Sequence, residues 1–174
     1  MSEAIGTPAF TVRVVTATDR AAVVWIMQTL WGGSEMVVHD EVIYPAELPG
    51  FLAEVSNEIV GLVTYRIVAD RCEVVSLDSK RPGNGIGTSL MAHVEALAEA
   101  SGCSQVWLVT TNDNLRALRF YQKRGYRIIG VDPGAVDRAR AVKPTIPRTG
   151  EGDIPIRDEL TLAKALGPGG TPVP

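Results

Sequence analysis

Two cysteines and two histidines in 174 residues leave this chain without the means for several common chemistries. Cys72 and Cys103 fit neither the spacing of a zinc site nor a disulfide framework, and both stand in apolar surroundings, which predicts reduced, buried thiols. His39 and His93 are isolated, so no metal ligand set can be assembled around either. No apolar run is long enough to span a bilayer, and the opening Met-Ser-Glu-Ala-Ile-Gly-Thr-Pro lacks the basic and apolar pattern of a secretion signal. A cytoplasmic protein with no membrane partner is expected. An excess of positive charge is missing too: a net charge of −3 and a pI near 5.4 argue against a general nucleic-acid binder.

What is present is ordinary for one folded domain, with 45% hydrophobic and 21% charged residues. Residues 1–9 and the Gly/Pro-rich 167–174 read as flexible tails around a domain at 10–166. Strands are expected at Phe10–Val15, Met36–Ile43, Phe51–Val55, Ile59–Ile67 and Arg71–Asp78, with a hairpin about Ser56-Asn57-Glu58. Thr18-Asp19 should start a helix that runs to Trp31 and stops at Gly32-Gly33.

The richest stretch is Arg81-Pro82-Gly83-Asn84-Gly85-Ile86-Gly87-Thr88, alternate glycines between an apolar strand and an amphipathic helix. Glycine lets backbone N–H groups approach an anion, and a helix N-terminus favours negative charge, so the loop reads as a phosphate cradle. A nucleoside-triphosphate loop needs a lysine after its last glycine; here Thr88 and Ser89 follow Gly87. A dinucleotide fingerprint needs a third glycine where this chain has Thr88 or Leu90. The helix after the loop turns Ile86, Leu90, Met91, Val94, Leu97 and Ala98 to one face, and Gln105–Thr111 is the next buried strand. A short helix from Leu115 to Arg124 follows the capping run Thr111-Asn112-Asp113-Asn114, then a strand at Ile128–Val131. Asp132-Pro133-Gly134 opens a helical run over 135–143, a loop over 144–153 and a last strand at Glu159–Ala163.

Two motifs carry a resemblance to the GNAT superfamily of acetyl-coenzyme A dependent N-acetyltransferases. One is Gly83-Asn84-Gly85-Ile86-Gly87 with its helix; the other is Asn114, Ala117, Phe120-Tyr121 and Gly125-Tyr126, with Tyr126 where the family usually has Phe. The resemblance covers residues 58–131 well and the flanks loosely. It implies an α/β (α+β) GNAT fold: a mixed twisted sheet of six to seven strands with helices on both faces. It also implies acetyl-CoA as cosubstrate, contacted by Leu77, Asp78, Arg81, Gly83, Asn84, Gly85, Ile86, Gly87, Thr88, Asn114 and Tyr121. Pro82 departs from the family's loop and removes one backbone donor, while Lys80 and Arg81 keep positive charge beside it. Arg116, Arg119, Lys123, Arg124 and Arg127 are either a solvated face or further phosphate contacts.

Acetyl transfer to an amine needs a proton acceptor, donors for an oxyanion and a proton for the leaving thiolate. Glu73, Asp78 and Asp113 are the candidate bases, Glu73 preferred for its place on the strand before the cradle. Tyr121 matches the family's general acid, and backbone N–H groups of Ser76, Leu77 and Asp78 match its oxyanion donors. Asn114 either caps its helix or holds the pantetheine arm, or does both. The expected acceptor is a small-molecule primary amine, in a pocket lined by Trp25, Trp31, Tyr44 or the 133–158 excursion. A lysine or N-terminal protein acetyltransferase and a non-catalytic acyl-CoA sensor are the alternatives, and the protein is expected to be a monomer or homodimer.

Overall fold

The computed structural model describes residues 10–167 and 170–173, so the expected tail at 1–9 lies outside the described residues, as do 168, 169 and 174. The chain order is β1 (Thr11–Val14), α1 (Arg20–Trp31), β2 (Met36–Val38), β3 (Glu41–Ile43), β4 (Gly50–Val55), β5 (Glu58–Val68), β6 (Arg71–Ser79), α2 (Ile86–Ala100), β7 (Gln105–Thr111), α3 (Leu115–Gln122), β8 (Arg127–Asp132), α4 (Ala135–Val142) and β9 (Glu159–Ala165). Seven strands form one mixed sheet in the order β1-β4-β5-β6-β7-β9-β8. Every pair is antiparallel except β6 with β7, whose crossover is α2.

Helices cover both faces. Leu90, Met91 and Val94 of α2 and Tyr121 of α3 pack with Phe51, Val63 and Val74, while Val23, Ile26 and Met27 of α1 pack with Leu52, Leu62 and Val75 on the other. Period-2 alternation along β4 to β6 makes this division possible, since neighbours in a strand point to opposite faces. Gly61 lets α2 approach β5: a Cβ there would stand 2.5 Å from Ile86 Cγ2.

Two expectations are corrected. The single strand at 36–43 is instead a separate two-stranded hairpin, β2–β3, because His39 (φ 37°) and Asp40 (φ 61°) turn the chain back on itself. Met36 and Ile43 of this hairpin join the α1 face of the core. The C-terminal stretch is not wholly free either: Gln105 Nε2 donates to Val173 O at 2.9 Å, and Val173 N donates to Gln105 Oε1 at 2.9 Å.

The start of α1 is held by buried Asp19, which accepts from Arg13 Nη1 at 2.7 Å and Thr16 N at 2.7 Å. The guanidinium holds this carboxyl well below the usual carboxylate range. Its contribution to stability is therefore present above the unfolded value of about 3.9 and is lost as pH falls below it. Asp19→Asn should melt several degrees lower than the parent at pH 7, and the gap should narrow as melting is repeated toward pH 2. A gap that widens in acid would contradict the pairing.

Candidate active site

The site begins where two strands stop pairing. Parallel β6 and β7 are in register from Arg71 with Gln105 to Val74 with Leu108, and no further. On the other edge of β6, Tyr65 faces Val74 but Thr64 faces Ser76, so Val75 is the extra residue of a bulge. The bulge lies one residue before the expected oxyanion donors, and the buried hydroxyls of Thr64 and Ser76 meet at 2.7 Å beside it. Between the parted strands opens a cavity of about 580 Å³, walled by Val74 to Asp78, Leu108 to Thr111, the β2 hairpin strand, α4 and the loop after it.

A second cavity of about 750 Å³ lies over the glycine loop and shares Leu77, Asp78, Asn114, Ala117 and Tyr121 with the first. The first intrahelical bond of α2 runs from Ser89 N to Gly85 O at 2.9 Å, leaving the amides of Ile86, Gly87 and Thr88 without a helical acceptor. Gly85 precedes them at φ 77°, and no side chain caps them. Pro82 comes before these donors, so its missing N–H takes none of them away. Arg81, Gly83, Gly85, Ile86, Gly87 and Thr88 all line this cavity, whereas Asn84 of the same loop does not. Arg116, Arg119, Lys123 and Arg124 line it too, and Arg127 stands apart on β8. Arg124 lies over the Phe120 ring at 3.4 Å and donates to Thr88 Oγ1, and its buried Nε has no acceptor. Open amides, a cationic rim and an unmatched guanidinium N–H suit a pyrophosphate.

At the junction, Tyr121 is 7% exposed, edge-on to Phe120 and Tyr126, and its hydroxyl has no partner among the described residues. Burial pushes this phenol up, so it stays protonated at neutral pH. Asp78 accepts from Trp31 Nε1 at 3.0 Å; burial pushes its carboxyl up despite that hydrogen bond. Asn114 Oδ1 accepts from Ala117 N at 3.1 Å, capping α3, while the residue also lines both cavities.

Glu73 is elsewhere. Only 2% exposed, it is absent from the walls of both cavities, and it accepts from His39 Nε2 at 2.7 Å and Arg66 Nε at 2.5 Å. A carboxylate ion-paired with Arg66 and hydrogen-bonded to His39, on the paired part of β6, is badly placed to take a proton from a substrate. Asp113 is also engaged, accepting from Thr111 Oγ1 at 2.5 Å and Glu151 N at 3.4 Å, which fastens the excursion loop. Trp31 and the excursion wall the first cavity; Trp25 and Tyr44, 57% and 47% exposed, do not.

Two residues escaped the sequence reading. His39 is not isolated: its ring bonds Glu73, which draws its pKa upward, and its backbone N donates to Glu159 Oε2 at 2.9 Å. Glu159, 5% exposed, lines the cavity from the first position of β9. Their partners lie 34 and 120 positions away along the chain, so no local pattern signals them.

A model of the Acetyltransferase (GNAT) family matches residues 21–126. An uncharacterised protein of Bacillus subtilis (strain 168), YdhI, is 45% identical over 137 residues, 78% of this chain and 86% of that one. Among solved structures, an IAA acetyltransferase from Bacillus cereus ATCC 14579 superposes with TM-score 0.71 at 20% identity, over 91% of this chain and 100% of its own. A Bacillus subtilis acetyltransferase in complex with CoA gives TM-score 0.64 at 17% identity, over 91% and 100%.

Proposed function

The chain belongs to the GNAT family of acetyltransferases, and from that premise we propose that it acetylates a primary amine of a small molecule by direct attack within a ternary complex. The observation that carries this reading is the roof over the acceptor cavity. Met36 to Val38 of the hairpin and Val136, Ala139 and Ile146 of the excursion stand around it, giving a partly covered cavity of about 580 Å³, a size that suits a small molecule.

Acetyl-CoA, when bound, supplies the thioester-activated acetyl group. The first-turn amides of α2 and the Arg124 guanidinium would hold its pyrophosphate, and Asn114 its pantetheine arm. Asp78, rather than the ion-paired Glu73, is the proton acceptor in this reading: it is on the cavity wall, and a raised pKa brings it closer to the amine's. Tyr121, protonated and without a partner at the junction, is the proton donor at the sulfur end.

The test follows thiol release from acetyl-CoA with a panel of small primary amines, alongside melting with acetyl-CoA, CoA, ATP and NAD. Expected are a rise in Tm with both CoA species only, and amine-dependent thiol release. Stabilisation by ATP or NAD instead, or no amine accepted, would overturn the reading. Tyr121→Phe should lower kcat about a hundredfold, the low end of general acid–base effects, since a thiol of pKa about 8.5 leaves with modest help. Unchanged kcat across pH would remove Tyr121 from the chemistry.

A further inference from the structure

Three charged side chains reach the acceptor cavity, and they are not equally provided for. Lys143 Nζ donates to Trp31 O at 3.1 Å and Glu35 O at 2.7 Å, so this cation fastens α4 to the end of α1. Asp78 carries the Trp31 hydrogen bond and the role given above. Among the described residues, no cationic side chain is in hydrogen-bond contact with Glu159. Its Oε2 accepts only the His39 amide, and its Oε1 has no hydrogen-bond partner among the described residues.

The His39 imidazole acts on it electrostatically but makes no hydrogen bond to it. The His39 ring is turned to Glu73 through Nε2. Asp40 and Asp132, the nearby acids, share Arg138, which donates to Asp40 at 2.9 Å and to Asp132 at 2.6 Å. Glu159 is thus a 5% exposed carboxylate in a wall otherwise built largely of Val, Leu, Ile and Met side chains. A carboxylate removed from water is costly unless paired, and here the space next to it is the acceptor chamber. Burial raises its pKa, against a smaller lowering by the His39 amide and imidazole.

We propose that Glu159 binds a second cationic group of the acceptor, so that the substrate is a diamine or a similar small molecule with one amine at Asp78 and a further ammonium at Glu159. This rests on the amine-acetylation reading above. β7 lies between β6 and β9 in the sheet, and β6 parts from β7 beyond Val74, so the two carboxylates stand on different strands of the cavity wall. An extended aliphatic spacer matches the apolar wall between them. Glu159 is a specificity residue here and takes no proton from the reacting amine.

The experiment compares α,ω-diamines of three to six carbons with n-alkylamines of equal carbon number, in the wild type and in Glu159→Gln. Expected in the wild type is a KM for the best diamine at least about tenfold below its matched monoamine, as a charge-assisted contact gives. In Glu159→Gln that ratio should collapse toward one, with the change in KM rather than kcat. Equal KM values for diamine and monoamine in the wild type would overturn the proposal and leave amine acetylation standing, and this comparison needs no variant to fold. A kcat loss common to both amine series in Glu159→Gln would also overturn it, by making Glu159 a base. Release of thiol with neither series, in protein that acetyl-CoA still stabilises, would instead sink the amine reading on which the proposal rests.

Discussion

Asp78→Asn is expected to cost about 10³ in kcat/KM at pH 7, within the range of general-base catalysis. An alkyl ammonium with pKa about 10.4 is present as free amine at only about one part in 10³ at that pH, and an amide cannot take the proton that Asp78 takes. The variant should therefore recover about tenfold per pH unit as solution supplies the free amine, up to the amine's own pKa. The wild type should lose activity in acid as Asp78, its pKa raised by burial, becomes protonated and stops accepting. Steady-state profiles of both proteins from pH 5 to 10 check this. A loss that is constant with pH would mean that Asp78 only positions Trp31, its hydrogen-bond donor at 3.0 Å.

Leu90→Ala should produce the largest loss of stability. Leu90 is fully buried in α2, the helix whose first turn forms the cradle, and it packs in the core shared with β4 to β7. Truncation removes buried methyl groups and leaves a cavity, about 2–5 kcal/mol, against a total stability of about 5–15 kcal/mol. At about 2–4 °C per kcal/mol for a chain of this size, Tm should fall by about 4–20 °C. Acetyl-CoA at a hundred times its Kd should return about 2.7 kcal/mol, because it binds the folded protein through that same helix. Calorimetry with and without the ligand measures both effects. A loss below about 1 kcal/mol would show that α2 is not a fixed wall of the core.

The cradle was legible in the sequence because each of its parts is local. Alternate glycines, the apolar face from Ile86 to Ala98 and the strands on either side are adjacent in the chain, and α2 forms over Ile86–Ala100 as its periodicity requires. Tyr121 and Asn114 were singled out by the family motif, whose residues lie on one short helix and its cap. The mixed sheet with helices on both faces is what the resemblance to the GNAT superfamily implies, and the structure has it with seven strands. The turn at His39-Asp40 was missed because a run from 36 to 43 with β-branched, apolar residues at both ends reads as one strand, and positive φ at two non-glycine residues leaves no mark.

By itself, then, the sequence determined the strand, glycine loop, helix and strand from 71 to 111 and the exclusion of rival nucleotide loops, all properties of neighbouring residues and their periodicity. Only the tertiary structure decided which carboxylate stands on the cavity wall. Glu73, Asp78 and Asp113 are alike as residues; Arg66 and His39 take the first, the excursion loop takes the last, and Asp78 is left on the cavity wall. Glu159 enters the same chamber from the far end of the chain because β9 inserts between β7 and β8. Charge and solvation depend on what surrounds a group in space, and those surroundings come from segments a hundred residues apart.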